Sequence, residues 1–167
     1  MIVVFPKYVV DCMVPLAEKA LEFKVKFENN RLNRDMTPDR LKKAHGSLMS
    51  EMAAAECLNV YFNPRVDNSQ IGTADLYYAE LAIDVKHTLY NGPTPKLIVS
   101  KEHDEHPNRF HAFMLMMGSD DLTRWEYAGF AWAEQILAPS RLDHSLPWPA
   151  YSMLAEDLNK RKPKQVA

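Results

Sequence analysis

Asn59 divides this chain into two textures. Before it, apolar side chains recur three and four residues apart, the spacing of one helix face. After it they come in short β-branched and aromatic runs separated by Gly, Pro, Asn and Asp, the pattern of strands and turns. A chain that reads helices first and strands afterwards folds as α+β, or as a mixed α/β sheet with the early helices laid against it.

The first half predicts two helices. Leu16, Ala20, Leu21, Phe23 and Phe27 form one apolar stripe, with Pro15 in the first turn. Asn29, Asn30 and Asn33 mark a loop. Thr37-Pro38-Asp39 then supplies a capping residue followed by proline at the first helical position. The second helix runs to about Asn59, with a bend expected at Gly46. Leu48, Met52, Ala55 and Leu58 form its buried stripe, and Ala53 to Ala55 favour helix strongly. Ahead of both, residues 2–5 and 8–10 are β-branched and aromatic, broken by Pro6, and read as an edge strand or an extended arm.

The second half predicts strands at Ala74–Tyr78, Leu81–Lys86, Leu97–Ser100, Phe110–Met117, Tyr127–Ala133 and Tyr151–Leu154. Loops fall at Asn63-Pro64, Asp67-Asn68, Asn91-Gly92-Pro93, Asp104–Asn108 and Gly118–Leu122. Phe110–Met117 is almost continuously apolar, as a central strand covered on both faces would be.

The length of 167 residues and a hydrophobic content of 47% suit one domain with a real core. No apolar run approaches the roughly eighteen residues of a membrane span. The start, MIVVFPKYVVDCM, lacks a basic leader and does not read as a signal peptide. Cys12 and Cys57 are too few for a disulfide framework and read as free buried thiols, which implies a reducing cytoplasm. Twenty basic against 22 acidic side chains give a net charge of -2, so overall charge would not drive binding to nucleic acid. Basic residues still cluster locally, at Lys24, Lys26, Arg31, Arg34, Arg40, Lys42 and Lys43, and again at Lys160, Arg161, Lys162 and Lys164. Solvated faces and a frayed terminus account for such runs.

The chemistry concentrates between Gly72 and Thr88. Asp75 opens one predicted strand; Asp84 and Lys86 sit two apart in the next. Strand periodicity puts Asp84 and Lys86 on one face and turns Ile83 and Val85 to the other. An acid and a lysine on one face of an otherwise apolar strand need a purpose, because charges are rarely buried without a partner. One purpose is a metal: Asp75 and Asp84 would supply hard oxygen ligands for Mg²⁺ or Mn²⁺. Phosphodiester hydrolysis needs a hydroxide near neutral pH and positive charge beside the developing oxyanion, and a carboxylate-held divalent ion supplies both. Lys86 would add a positive contact, or accept a proton from the water if its surroundings depress its pKa. The other purpose is a plain ion pair on an edge strand, with Asp75 as a turn residue.

In this segment the chain resembles the PD-(D/E)xK, restriction-endonuclease-like nuclease superfamily. Its motif is a lone Asp at a strand start, then Asp or Glu, any residue and Lys on the next strand: here Asp75, then Asp84-Val85-Lys86. Gly46-Ser-Leu-Met-Ser-Glu51 is similar to the family's first core helix, which carries Gly followed by an active-site Glu, and Thr88 stands where a polar residue follows the lysine. Trp125 to Leu158 looks like the closing segment of small phage nucleases. Asp75 follows Ala74 rather than proline, and the middle acid is Asp84 rather than Glu; neither departure implies inactivity.

The resemblance spans roughly residues 44–158. It implies a restriction-endonuclease-like core, a central mixed β-sheet flanked by helices, within one domain of residues 1–158. Residues 1–43 would be a helical extension and 159–167 a basic, flexible tail. It implies a Mg²⁺-dependent nuclease acting on DNA, with Mn²⁺ able to substitute, in the cytoplasm of a host cell if the gene is a phage's. Glu51, Asp75 and Asp84 would hold the metal and Lys86 would assist the water; Glu56, one turn on, competes with Glu51. Cutting two strands with two sites would call for a homodimer. The competing expectation is a catalytically silent nuclease-fold protein that binds nucleic acid or a protein in a phage or mobile-element system. A hydrolase of a smaller phosphate ester is a third.

Two further groups stand out. His103-Asp104-Glu105-His106 with His111 is dense in metal-binding types but lacks the organised spacing of zinc ligands, and reads as an ordinary polar loop. Arg109 or Lys101 would touch a phosphate backbone from it if the chain binds nucleic acid; surface salt bridges are the plainer role. Of Trp125, Trp132 and Trp148, which could stack on bases, the last lies between Pro147 and Pro149 and is the one expected at the surface.

Overall fold

In the computed structural model of the chain, residues 1–28, 37–64, 73–89, 92–105 and 109–163 are described, apart from the side chains of 23–28 and 105. The elements follow in the order β1 (Ile2–Val4), α1 (Lys7–Cys12), α2 (Val14–Glu28), α3 (Pro38–Leu58), β2 (Leu76–Tyr78), β3 (Leu81–Thr88), β4 (Lys96–Ser100), β5 (Ala112–Gly118), β6 (Arg124–Trp132), α4 (Ala133–Ile136), β7 (Leu142–Asp143) and β8 (Ala150–Leu154).

The expected helices form where their end signals are. Thr37 caps α3 by accepting the Arg40 N–H at 3.4 Å. Asn59 ends α3 in a left-handed conformation (φ 57°), where its N–H reaches the carbonyls of Ala55 and Glu56. Asparagine tolerates that conformation better than most residues. Gly46 does not divide the helix; it is buried inside α3, where the His87 ring approaches too closely for a larger residue. Residues 8–10 are helical rather than extended. Pro6 ends β1, and its carbonyl accepts the Val9 N–H at 2.9 Å to begin α1.

The strands make two sheets. The larger is mixed, ordered β1-β6-β5-β3-β2, with β3 and β5 parallel and the other neighbours antiparallel. The smaller is antiparallel, β4-β8-β7. The alternation of β5 shows why both are needed. Ala112, Met114 and Met116 face the helices, in a core with Val10, Ala17, Met49, Ala53 and Trp125. Phe113 and Leu115 face the other way, onto Leu97, Val99, Tyr151 and Met153 of the small sheet. Helices therefore cover one face of the central sheet; the small sheet, with the short α4 beside it, covers the other. The mixed sheet with the early helices laid against it is as expected; the second, small sheet on its other face is an addition.

The N-terminal segment is part of the body. β1 is the outer strand of the central sheet, and Phe5, Val10, Met13 and Ala17 lie in the helix-side core. The C-terminal segment is likewise attached up to Pro163. Asn159 exchanges backbone hydrogen bonds with Phe130, Lys160 donates to the carbonyls of Ala128 and Ala155, and Tyr127 Oη donates to the Arg161 carbonyl at 2.9 Å. Residues 164–167 lie outside the described residues, as do the expected loops at Asn29–Asn33 and Asp67-Asn68, Asn91 of the third, and Lys24, Lys26, Arg31 and Arg34 of the basic run as side chains. Lys42 and Lys43 are exposed. Cys57 is buried, but Cys12 is exposed, which corrects the reading of two buried thiols.

Gly129 is what lets the C-terminal segment lie on β6. Its φ is 134°, and an added Cβ would fall 2.7 Å from Leu158 Cβ and 2.8 Å from the Asn159 carbonyl oxygen. The Gly129→Ala variant is expected to lose about 2 kcal/mol of stability by denaturant titration, from backbone strain and displacement of residues 158–160.

Candidate active site

The site is built on β3, an interior strand between β5 and β2. Ile83 and Val85 enter the helix-side core. Asp84 and Lys86 project from the opposite face, as strand periodicity requires. Asp84 is 6% exposed, one of only two buried polar residues among those described, the other being Ser50. Lys86 Nζ stands 2.8 Å from Asp84 Oδ2 and keeps about a third of its side chain in contact with solvent.

Asp75 joins them through the ladder. β2 stops at Leu76, which pairs with Ile83, so the N–H of Val85 points to where β2 would have continued. The Asp75 carboxylate takes that place, Oδ2 accepting the Val85 N–H at 2.7 Å. This brings the Asp75 and Asp84 carboxyl groups within hydrogen-bonding reach of each other. Crowding by protein atoms, then the negative charges of Glu51 and Asp84, hold the Asp75 pKa well above the ordinary carboxylate value, against the lowering effect of the Val85 bond. The residue as a whole is exposed, so solvent tempers the crowding; the two like charges raise the pKa in any case.

Glu51 reaches this group from α3. It is half-buried, accepts a long hydrogen bond from Ser47 Oγ at 3.5 Å, and acts electrostatically on Asp75. Glu56 is exposed on another face of the same helix. The four residues singled out in the sequence thus gather around the middle of β3. Thr88 ends that strand, paired with Met117.

His103 is the neighbour that the sequence did not reveal. A 3-10 turn, Lys101–Glu105, carries its ring to Asp84, with Nε2 3.6 Å from Oδ2, and packs it edge-on against Phe110 and Phe113. Burial lowers its pKa, Lys86 adds to the lowering, and Asp84 opposes it. The rest of that polar cluster disperses. Asp104 accepts from Tyr151 Oη at 2.7 Å, and His111 Nδ1 accepts the Ala82 N–H at 2.9 Å. His106 lies outside the described residues. The Arg109 guanidinium lies over the Phe110 ring, and Lys101 is exposed. Trp125 is fully buried, Trp132 packs edge-on against Phe130, and Trp148 is 55% exposed.

Among the described residues, no group of three or more His, Cys, Asp or Glu is arranged to hold a metal ion. Two carboxyl groups close enough to share a hydrogen bond are nevertheless a donor set suited to a hard cation. Mg²⁺ takes one or two carboxylates from a protein and fills its remaining positions with water and substrate oxygens. The residues present fit such an ion to that extent.

His87, next to Lys86, faces the helices and packs edge-on to Trp125 with ring centroids 6.0 Å apart. Burial, with Lys86 beside it, lowers its pKa to about 4. The unfolded chain takes up a proton near pH 6.5, and the native state resists it until pH 4. Stability from this group is therefore complete above 6.5 and declines as pH falls through that window. The His87 contribution to the denaturation free energy, read as wild type minus His87→Gln, is expected to be about 2 kcal/mol smaller at pH 5 than at pH 7, while Asp75, with its raised pKa, shifts the total in the opposite direction. His45 and His103, shifted the same way by burial, contribute in the same direction as His87.

No family model, curated protein or solved structure matches the chain. Among the described residues no helix is long and apolar enough to cross a membrane.

Proposed function

We propose that this chain is a Mg²⁺-dependent nuclease that hydrolyses DNA phosphodiester bonds. The observation that carries this reading is the approach of Asp75 and Asp84 to hydrogen-bonding distance, with the like-charged Glu51 acting on the same group. At neutral pH such an arrangement is unfavourable unless a proton or a cation lies between the acids. A divalent ion there would supply a low-pKa water and positive charge for the phosphate oxygens.

The chain's own residues have separable roles in this reading. Asp75, held by the Val85 N–H, and Asp84, buried at the strand centre, present rigid oxygen donors. Glu51 would add its negative charge from α3, where it already acts electrostatically on Asp75. Lys86 pairs with Asp84 at 2.8 Å and aims a positive charge at the partly open side of the strand. Mn²⁺ substitutes for Mg²⁺ because both favour oxygen donors in octahedral geometry.

A second reading is a nuclease-fold protein that binds nucleic acid or a protein partner without cutting. Lys86 favours it: its ammonium group is already paired with Asp84 at 2.8 Å, as in a purely structural ion pair. Incubation with single-stranded, duplex and branched DNA in Mg²⁺ and Mn²⁺ distinguishes the two, with metal binding measured by calorimetry. The nuclease reading expects cleavage that Asp84→Asn removes. No cleavage of any substrate and no metal binding would defeat it.

A further inference from the structure

Tyr77 stands beside the acid pair with its ring in solvent. It is the partner of Ala82 across the β2–β3 ladder, and antiparallel partners share a face. Ala82 and Asp84 are two residues apart on β3, so Tyr77, Ala82 and Asp84 all look away from the helices. Along the strand the separation is about 7 Å. Leu76 and Tyr78 turn instead to the helix-side core. Tyr77 is 60% exposed, so the fold gains little from a ring at this position.

A second exposed ring lies on the opposite flank of β3. The 3-10 turn that brings His103 to Asp84 packs on β5 residues, the side of β3 away from β2. Its first residue, Lys101, donates its N–H to the Pro149 carbonyl at 3.1 Å, which ties the Pro147–Pro149 turn and exposed Trp148 to it. The flanking prolines limit the backbone around Trp148. Charge does not dominate this surface: Lys101 stands with Glu102 and Asp104, both exposed, and the whole chain carries -2.

Resting on the nuclease reading above, we propose that the site takes single-stranded nucleic acid, with a base next to the phosphate stacked on Tyr77 and the strand leaving across β3 toward Trp148. A paired base has both faces covered by its neighbours in the stack, whereas an unpaired base can lay one face on an aromatic ring. Stacking also suits a surface with little net charge, because it does not depend on counterion release.

The test is anisotropy of labelled oligonucleotides in EDTA, which separates binding from cleavage. Single-stranded oligo(dT) and oligo(rU) are compared with a duplex of equal length, the two homopolymers distinguishing DNA from RNA. At least one single strand is expected to bind about 10-fold or more tightly than the duplex, with a shallow salt dependence. Tyr77→Ala is expected to weaken it about 10-fold and Tyr77→Phe to leave it within about 2-fold. Unchanged denaturation midpoints in both variants confirm intact folding. Equal affinity for duplex, no binding, or binding indifferent to Tyr77→Ala would overturn the proposal. Tyr77-dependent binding by a protein that cuts nothing in Mg²⁺ or Mn²⁺ would sink the nuclease reading and leave the stacking surface standing.

Discussion

Asp75→Asn is expected to make the protein more stable and, in the nuclease reading, less active at once. The carboxyl group of Asp75 has its pKa raised by crowding and by the charges of Glu51 and Asp84. A raised native pKa means that the folded state holds the proton more firmly than the unfolded chain. The stability associated with it is complete below the ordinary carboxylate range and lost as pH rises through the native pKa. As pH rises through that native pKa, the folded protein takes on the repulsion of the ionised acid. Asparagine removes that charge, and its side-chain oxygen can still accept the Val85 N–H that Asp75 now receives at 2.7 Å. The gain is expected to be about 1 kcal/mol, or 2–4 °C in Tm for a chain of this length. It should shrink toward pH 4, where the wild-type acid is neutral. In the nuclease reading, cleavage should fall on the order of 100-fold or more, and Mg²⁺ should raise the Tm of the wild type, as any ligand of the native state does, and raise that of the variant far less. A variant less stable than wild type at pH 7, with no difference in its response to Mg²⁺, would show that the acids are not in conflict and hold no ion.

That combination separates what the sequence made legible from what it did not. Helix ends and strand periodicity were legible locally, although residues 8–10 proved helical and Gly46 did not bend α3. Thr37-Pro38 placed the start of α3, Asn59 its end, and the period of two on β3 put Asp84 with Lys86 and Ile83 with Val85. Long-range placement was not encoded in any local pattern. The small sheet forms because β4 pairs with β8, more than fifty residues on, and Leu97, Val99 and Met153 carry no mark distinguishing them from strands of the central sheet. The β2–β3 turn was equally silent. Ala79 and Glu80 both have positive φ (47° and 68°), a geometry that Asn-Gly would announce and Ala-Glu conceals. His103 shows the same limit at the site. Its residue type was visible, but its position against Asp84 follows only from the crossover that carries the chain from β3 through β4 to parallel β5.

Lys86→Met tests the remaining ambiguity, whether the lysine is structural or chemical. Asp84 is buried and its Oδ2 has two cationic or potentially cationic neighbours, Lys86 at 2.8 Å and His103 at 3.6 Å, the latter with its pKa lowered by burial. Removing Lys86 therefore leaves a buried carboxylate beside another acid with no dependable counter-charge. Breaking a fully buried pair costs about 3–5 kcal/mol; partial exposure of the lysine brings the expected loss here to about 2 kcal/mol. The sign is opposite to that of Asp75→Asn, although both variants remove one charge from the same cluster. In the double variant Asp84→Asn/Lys86→Met most of the stability should return, because neither charge is left alone. That recovery reports on the ion pair alone, since Asp84→Asn by itself removes cleavage in the nuclease reading whatever the lysine does; the chemical role of Lys86 is read from the single variant. In the nuclease reading, Lys86→Met alone cuts on the order of 100-fold more slowly even where added Mg²⁺ restores its Tm, since a cation can neutralise Asp84 but cannot supply the ammonium group beside the phosphate. Full cleavage by Mg²⁺-stabilised Lys86→Met would reduce the lysine to a counter-ion and leave the chemistry to the carboxylates.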